Sequence, residues 1–177
     1  MEEQEVLKHP AVVRVKEFLA ANGINGKVVA LKESARTAAE AAEALGIEVG
    51  QVASSIVFKL PDGNPLLVIT SGRHRVNTEL VARNLGVEKL HRADADYVRS
   101  VSGFAIGGVS PVAWISEITG DVSPIGWVNQ PDHIIIDVAL DSYEVIWAAA
   151  GHPHGAFPTT FSALKEVTGA KALIVGD

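Results

Sequence analysis

Val12, Val13, Val15, Phe18 and Leu19 recur at helical spacing, which predicts an opening helix over about residues 10–22, with Pro10 in its first turn and Asn22-Gly23 as its stop. Lys27–Leu31 reads as a short strand. An alanine-rich helix follows and ends at Gly46, with Ser34 or Thr37 as its cap; Thr37-Ala-Ala-Glu40 fits a capping box. Ala53–Leu60 and Leu66–Thr70 are apolar runs joined by the turn cluster Pro61-Asp62-Gly63-Asn64, and so predict a β-hairpin. Asn77 caps a helix through Leu85 that stops at Gly86, and Asp94 caps a short one around Asp96–Arg99. His133–Leu140 and Glu144–Ala149 read as strands, Thr160 opens a helix stopped by Gly169, and Ala172–Val175 is a closing strand. Hairpin-linked strands mixed with helices at irregular intervals predict an α+β fold. Its sheet should be curved, mixed, largely antiparallel and barrel-like, and flanked by helices.

Composition narrows the choices. The 177 residues suit one domain, 1–177, and 47% hydrophobic with 20% charged residues lies in the globular range. With no cysteine, disulfides, thiolate nucleophiles and sulfur-ligated zinc are all excluded. The acidic start Met1-Glu2-Glu3-Gln4-Glu5 and the lack of any apolar run near ~20 residues predict a soluble, cytoplasmic protein without a membrane span. Charge is uneven: residues 1–99 carry 13 Lys/Arg and 13 Asp/Glu, whereas residues 100–177 carry 2 and 8, which together make the net −6. That balance disfavours DNA and wrapping of a long nucleic acid. The local stretch Arg73, His74, Arg75, Arg83, Lys89, His91 and Arg92 suits either a few phosphates or a solvated helix face.

Common catalytic templates are missing. Gly103, Gly107 and Gly108 lack the spacing of a Walker loop, and no Gly-x-Ser-x-Gly elbow occurs. Ser54-Ser55 and the histidines carry no spacing that marks a hydrolytic triad, and His152-Pro-His154 offers two imidazoles without an identifiable carboxylate partner, so neither metal nor cofactor is expected. What remains is Gly103-Phe-Ala-Ile-Gly-Gly-Val-Ser-Pro111, which serves either as a tight turn or as a backbone cradle for a carbonyl or a water. Gly107–Trp114 is repeated at Gly120–Trp127 with five of eight positions identical.

Gln51-Val-Ala-Ser-Ser-Ile-Val-Phe58, Val68-Ile-Thr-Ser-Gly72 with Arg75-Val76, Arg92-Ala-Asp-Ala-Asp96, the Gly103–Pro111 loop and Trp147-Ala-Ala-Ala-Gly151 occur in the order that resembles the YbaK/ProX family. These are free-standing aminoacyl-tRNA editing domains related to the insertion domain of bacterial prolyl-tRNA synthetases. The resemblance covers about residues 28–175. It implies a cofactor-free aminoacyl-tRNA deacylase that acts in trans on the ester at the 3′ end of a mischarged tRNA. A partnership with a synthetase and a monomeric state also follow. On that resemblance Ser54, Gly107, Gly108, Ser110 and Pro111 line the reacting centre, while Thr70, Ser71, Gly72, Arg75, Gly151 and His152 contact substrate; the first copy of the repeat is the active loop. Ser54 stands where many family members carry lysine, so a hydroxyl replaces an ammonium. That exchange leaves a second reading, a non-catalytic module that binds tRNA or a synthetase.

Overall fold

The computed structural model describes residues 2–115 and 133–177. The helices are α1 (Glu3–Lys8), α2 (Pro10–Ala21), α3 (Ala38–Leu45), α4 (Thr78–Leu85), α5 (Ala95–Ser102) and α6 (Phe161–Thr168). The strands are β1 (Val29–Ala30), β2 (Val52–Lys59), β3 (Pro65–Ser71), β4 (His91–Arg92), β5 (His133–Asp137), β6 (Ile146–Ala149), β7 (Gly155–Thr159) and β8 (Lys171–Leu173). Side-chain oxygens cap most of the helices as the sequence predicts: Asn77, Asp94 and Thr160 accept from the N–H groups of Leu80, Tyr97 and Ala163 at 3.1, 2.8 and 3.1 Å. Between Ser34 and Thr37, Thr37 is the cap of α3, accepting from Glu40 N at 3.2 Å. The capping box is only half made, because the Glu40 carboxylate reaches the N–H of Arg36 instead.

The strands form one mixed, mostly antiparallel sheet in the order β1-β7-β6-β2-β3-β5-β8, with β4 on β2, and the sheet is open rather than closed. Parallel pairing joins β2 to β6, β3 to β5 and β5 to β8. Alternation assigns the faces. Ala53, Val57, Leu67, Ile69, Ile134 and Ile136 pack with Val12, Val15 and Phe18 of α2, whereas Leu66, Val68 and Ile135 pack with Val81 and Ala82 of α4. With both faces covered, β3 is buried from Leu66 to Ser71. Among the described residues no helix is long and apolar enough to cross a membrane.

Four elements differ from the sequence expectation. The strand predicted through Leu140 stops at Asp137, whose carboxylate accepts from Ala139 N at 2.9 Å and turns Val138–Ser142 into a 3₁₀ helix. Strand β7 carries Pro158, which is tolerated because β1 pairs only with Gly155 and Ala156, so that among the described residues no strand flanks Pro158 on that side. Strand β4 has only two residues, both exposed, and α1 buries only Val6, so neither leaves a periodic signal. The second copy of the repeat, Gly120–Trp127, lies outside the described residues.

Two features position the functional region. Strand β2 has β3 along its whole length on one side, but on the other side β6 covers only Val52–Ala53 and β4 only Phe58–Lys59. Among the described residues, Ser54–Val57 therefore form an open edge inside the sheet, where every second residue turns its N–H and C=O away from β3 with no strand facing them. The second feature is the loop after α5. Gly103 ends that helix at φ 77°, a conformation that suits glycine, and Trp114, 2% exposed, donates its indole N–H to Ser110 O at 2.8 Å. Arg14 of α2 clamps the loop, with Nε donating to Ala113 O at 2.8 Å and the guanidinium 4.6 Å from the Phe104 ring centre. Burial lowers the pKa of this guanidinium from its ordinary value. Replacing Arg14 by Met should keep much of the packing and lose the charged hydrogen bond, lowering stability in urea denaturation by about 1–3 kcal/mol.

Candidate active site

A cavity of about 550 Å³ wraps around the open edge of β2. Its apolar walls come from Leu31, α3, Val98, Ile106, Val109 and β6, and Ser54–Val57 run along its floor. Both hairpin faces contribute. Ser55 shares a face with Ala53 and Val57, the side on which Val109 packs, while Ser54 lies opposite Thr70 on the other face. The charged lining residues are Arg36 and Arg92, joined by His74, and among the described residues no Asp or Glu lines the cavity. In a chain of net charge −6, this is a local cationic site suited to an anion.

The polar end of the cavity is organised by Asp137. This carboxylate is 1% exposed, and its Oδ2 accepts from Ser71 N at 3.0 Å and lies 3.4 Å from Thr70 Oγ1. The same Oδ2 lies 2.9 Å from Nδ1 of His74, which is 21% exposed. A buried carboxylate at that distance requires the imidazole to donate, so neutral His74 carries its proton on Nδ1 and presents Nε2 as an acceptor. Ser71 Oγ is held elsewhere, donating to Gly50 O at 2.7 Å.

The residues singled out in the sequence divide into two groups. Ser54, Thr70, Ser71, Gly72 and Gly107 line the cavity together. Gly107 takes φ 93°, and a methyl group there would meet the Arg36 side chain at 3.0 Å. Gly108 sits just behind the wall, where a methyl group would meet the His152 backbone at 2.8–3.0 Å, so close packing explains that glycine. Ser110 and Pro111 are buried in the loop beneath, with Ser110 Oγ accepting from Val112 N at 3.3 Å. Arg75 is exposed beside the C-terminal segment, its N–H donating to Asp177 O at 3.1 Å, and does not line the cavity. Gly151 and His152 lie behind the loop, where Gly151 packs against Ala11 and Phe104. Sequence reading missed Arg36, His74 and Asp137 as members of the site. The basic stretch offered His74 and Arg92 either to a few phosphates or to a solvated helix face, and both line the cavity.

Behind Gly108, three imidazoles meet: His9 and His152 have ring centres 5.0 Å apart, and His152 and His154 5.6 Å apart. His9 Nδ1 accepts from Ala11 N at 3.2 Å, His152 Nδ1 accepts from His154 N at 3.0 Å, and His154 Nδ1 lies 2.9 Å from Leu31 O. The first two rings therefore carry their neutral-state protons on Nε2, which leaves those nitrogens as donors rather than metal ligands. Among the described residues no three His, Asp or Glu side chains are grouped to hold a metal ion.

Fold and cavity together define a small α+β domain whose open β2 edge, among the described residues, faces a pocket lined by Arg36, His74 and Arg92. The chain belongs to the aminoacyl-tRNA editing domain family, whose model matches residues 32–167. A crystal structure of a protein proposed to be a trans-editing enzyme for prolyl-tRNA synthetase is 36% identical, with a TM-score of 0.78 over 95% of this chain and 98% of that one. The uncharacterised protein YwhH of Bacillus subtilis (strain 168) is 23% identical over 83% of this chain and 84% of its own length. Proline–tRNA ligase of Limosilactobacillus fermentum is 33% identical over 89 residues, which are 48% of this chain and 16% of the ligase.

The imidazole cluster gives the protein a pH signature. Burial, then the nearby His9, His154 and Arg36, lowers the His152 pKa from its ordinary 6.5. As pH falls through that ordinary value the unfolded chain takes up a proton that the folded chain refuses, so the stability contributed by neutral His152 is present above it and lost below. Melting temperatures measured between about pH 8 and pH 5 should fall for the native protein. His152→Asn, which keeps an acceptor for His154 N, should flatten that dependence.

Proposed function

We infer that the protein hydrolyses the ester linking a wrong amino acid to the 3′ end of a tRNA, acting in trans to the synthetase. The observation that carries this reading is the floor of the cavity. Among the described residues, the edge of Ser54–Val57 that faces away from β3 has no strand partner and lines the same cavity as Gly107, Arg36 and Arg92, with no carboxylate among those lining residues. An aminoacyl ester is already activated, so a site needs chiefly to orient it, admit one water and donate hydrogen bonds to the developing oxyanion. Backbone N–H groups on the open edge and at Gly107 supply such donors. Arg36 and Arg92 attract the phosphate of the terminal nucleotide, a role the sequence reading gave to Arg75. The apolar walls admit the amino-acid side chain and discriminate by size, at about 1–3 kcal/mol per methylene. A cationic side chain meets no counter-charge among the described lining residues. The family and the likeness to a prolyl-tRNA synthetase editing protein favour a tRNA charged in error by that synthetase as the substrate.

Ser54 favours a second reading. It lines the cavity opposite Thr70 but brings no cation to the position where the family's lysine is expected, which suits a module that binds aminoacyl-tRNA without releasing the amino acid. A panel of mischarged tRNAs separates the two: multiple-turnover deacylation of at least one member is expected, and saturable binding without release would establish the module instead. Arg92→Ala should weaken tRNA binding and reduce the slope of log affinity against log salt by about 1, without changing which amino acid is preferred. An unchanged slope would remove Arg92 from the phosphate contact.

A further inference from the structure

The geometry points to His74 as the proton-transfer residue of the cavity, with Asp137 as its positioning residue. The inference rests on the deacylase reading and adds to it the group that activates the water. Three observations on separate elements converge. His74 lines the cavity from the segment after β3, Asp137 reaches it from the end of β5, and Thr70 of β3 lies within 3.4 Å of the same carboxylate oxygen. The carboxylate is fixed from a further direction by the Ser71 and Ala139 N–H groups. Both of its oxygens are thus held by protein hydrogen bonds, the condition under which a carboxylate holds an imidazole in one tautomer. His74 is anchored in the chain as well, its backbone N–H donating to Ser71 O at 3.0 Å.

The chemistry follows from the tautomer. Neutral His74 has Nδ1–H directed at Asp137 and an unprotonated Nε2. That nitrogen takes a proton from a water as the water oxygen bonds to the ester carbonyl carbon. When the carbonyl re-forms, the bond from carbon to the ribose 3′-oxygen breaks and that oxygen receives the proton from Nε2–H. The amino acid leaves as a carboxylic acid and the imidazole returns neutral, so atoms and protons balance with no further reactant. No serine hydroxyl is hydrogen-bonded to His74 among the described residues, and Ser71 Oγ is committed to Gly50 O, so water rather than a serine is the nucleophile. Among the described residues, the charged group in contact with the imidazole is Asp137; Arg36 and Arg92 line the same cavity, and Arg73 and Arg75 are chain neighbours, with Arg73 lying over Tyr143 at 5.9 Å.

The test pairs kinetics with a measurement that needs no turnover. His74→Asn keeps an N–H for Asp137 and removes the basic nitrogen. It should retain the native melting temperature and KM while kcat falls by about 100-fold or more, and the rise of rate with pH that a neutral imidazole requires should vanish. Activity close to native, or an unaltered pH profile, would overturn the inference. In the native protein the ¹⁵N spectrum of His74 should report Nδ1 protonated and Nε2 bare at alkaline pH, whereas the opposite tautomer would overturn it independently. If the native protein deacylates no member of the mischarged-tRNA panel, the deacylase reading falls and this inference falls with it. An active native protein with an equally active His74→Asn variant overturns this inference alone.

Discussion

A carboxylate buried to 1% exposure has to be hydrogen-bonded on every side, and the arrangement of the candidate site follows from how Asp137 meets that demand. Its two oxygens gather the Ser71 N–H at the end of β3, the Ala139 N–H that starts the 3₁₀ helix after β5, and the imidazole of His74. Ser71 and His74 come from one segment and Asp137 with Ala139 from another, and Ser71 and Asp137 are 66 residues apart in the chain. Removing the charge would leave two backbone donors and an imidazole without partners in a place water barely reaches, at a cost of about 1–3 kcal/mol for each lost partner. The same bonds stop the strand at Asp137 and fix the segment that turns His74 and Gly72 toward the cavity.

The second constraint is an incomplete sheet. A strand inside a sheet ordinarily has neighbours on both sides, and among the described residues β2 has them only at its ends, through β6 and β4. The gap from Ser54 to Val57 is thus both an energetic liability and a resource. It leaves backbone donors and acceptors facing a cavity whose walls are mostly apolar, where hydrogen bonds to a ligand are stronger than in water. The Gly103–Trp114 loop, fastened by Arg14 and by the indole of Trp114, closes the opposite side and brings Gly107 to the cavity while burying Ser110 and Pro111 behind it. The loop is therefore both of the things its glycines allowed, a turn at Gly103 and a lining segment at Gly107.

Much of this fold is legible in the sequence because its signals are local. Asn77, Asp94 and Thr160 announce helices by capping chemistry, glycines end them, and the turn at Pro61–Asn64 joins two apolar runs that pair in register from Ala53↔Ser71 to Lys59↔Pro65. Strands β4 and β7 were not legible: one is a pair of exposed residues and the other contains a proline that only the shortness of β1 permits. For the site, the glycine loop and the Val68–Gly72 segment carried recognisable patterns, and five of the residues they and Ser54 supply do line one cavity. The His74–Asp137 pair could not be seen, since its partners are 63 residues apart and neither sits in a motif. Arg36 was equally silent, an exposed residue before a helix whose place beside Gly107 exists only in three dimensions.

The central claim is that the aminoacyl end of a tRNA lies along the open edge of β2. Titrating ¹⁵N-labelled protein with a non-hydrolysable aminoacyl-adenosine, its ester replaced by an amide, tests this directly by mapping which backbone amides shift. The account predicts saturable shifts concentrated at Ser54–Val57, Gly72 and Gly107, with His74 responding alongside them. Shifts confined to another face, such as the groove between Asn22–Gly26 and Pro158–Thr160, would contradict it.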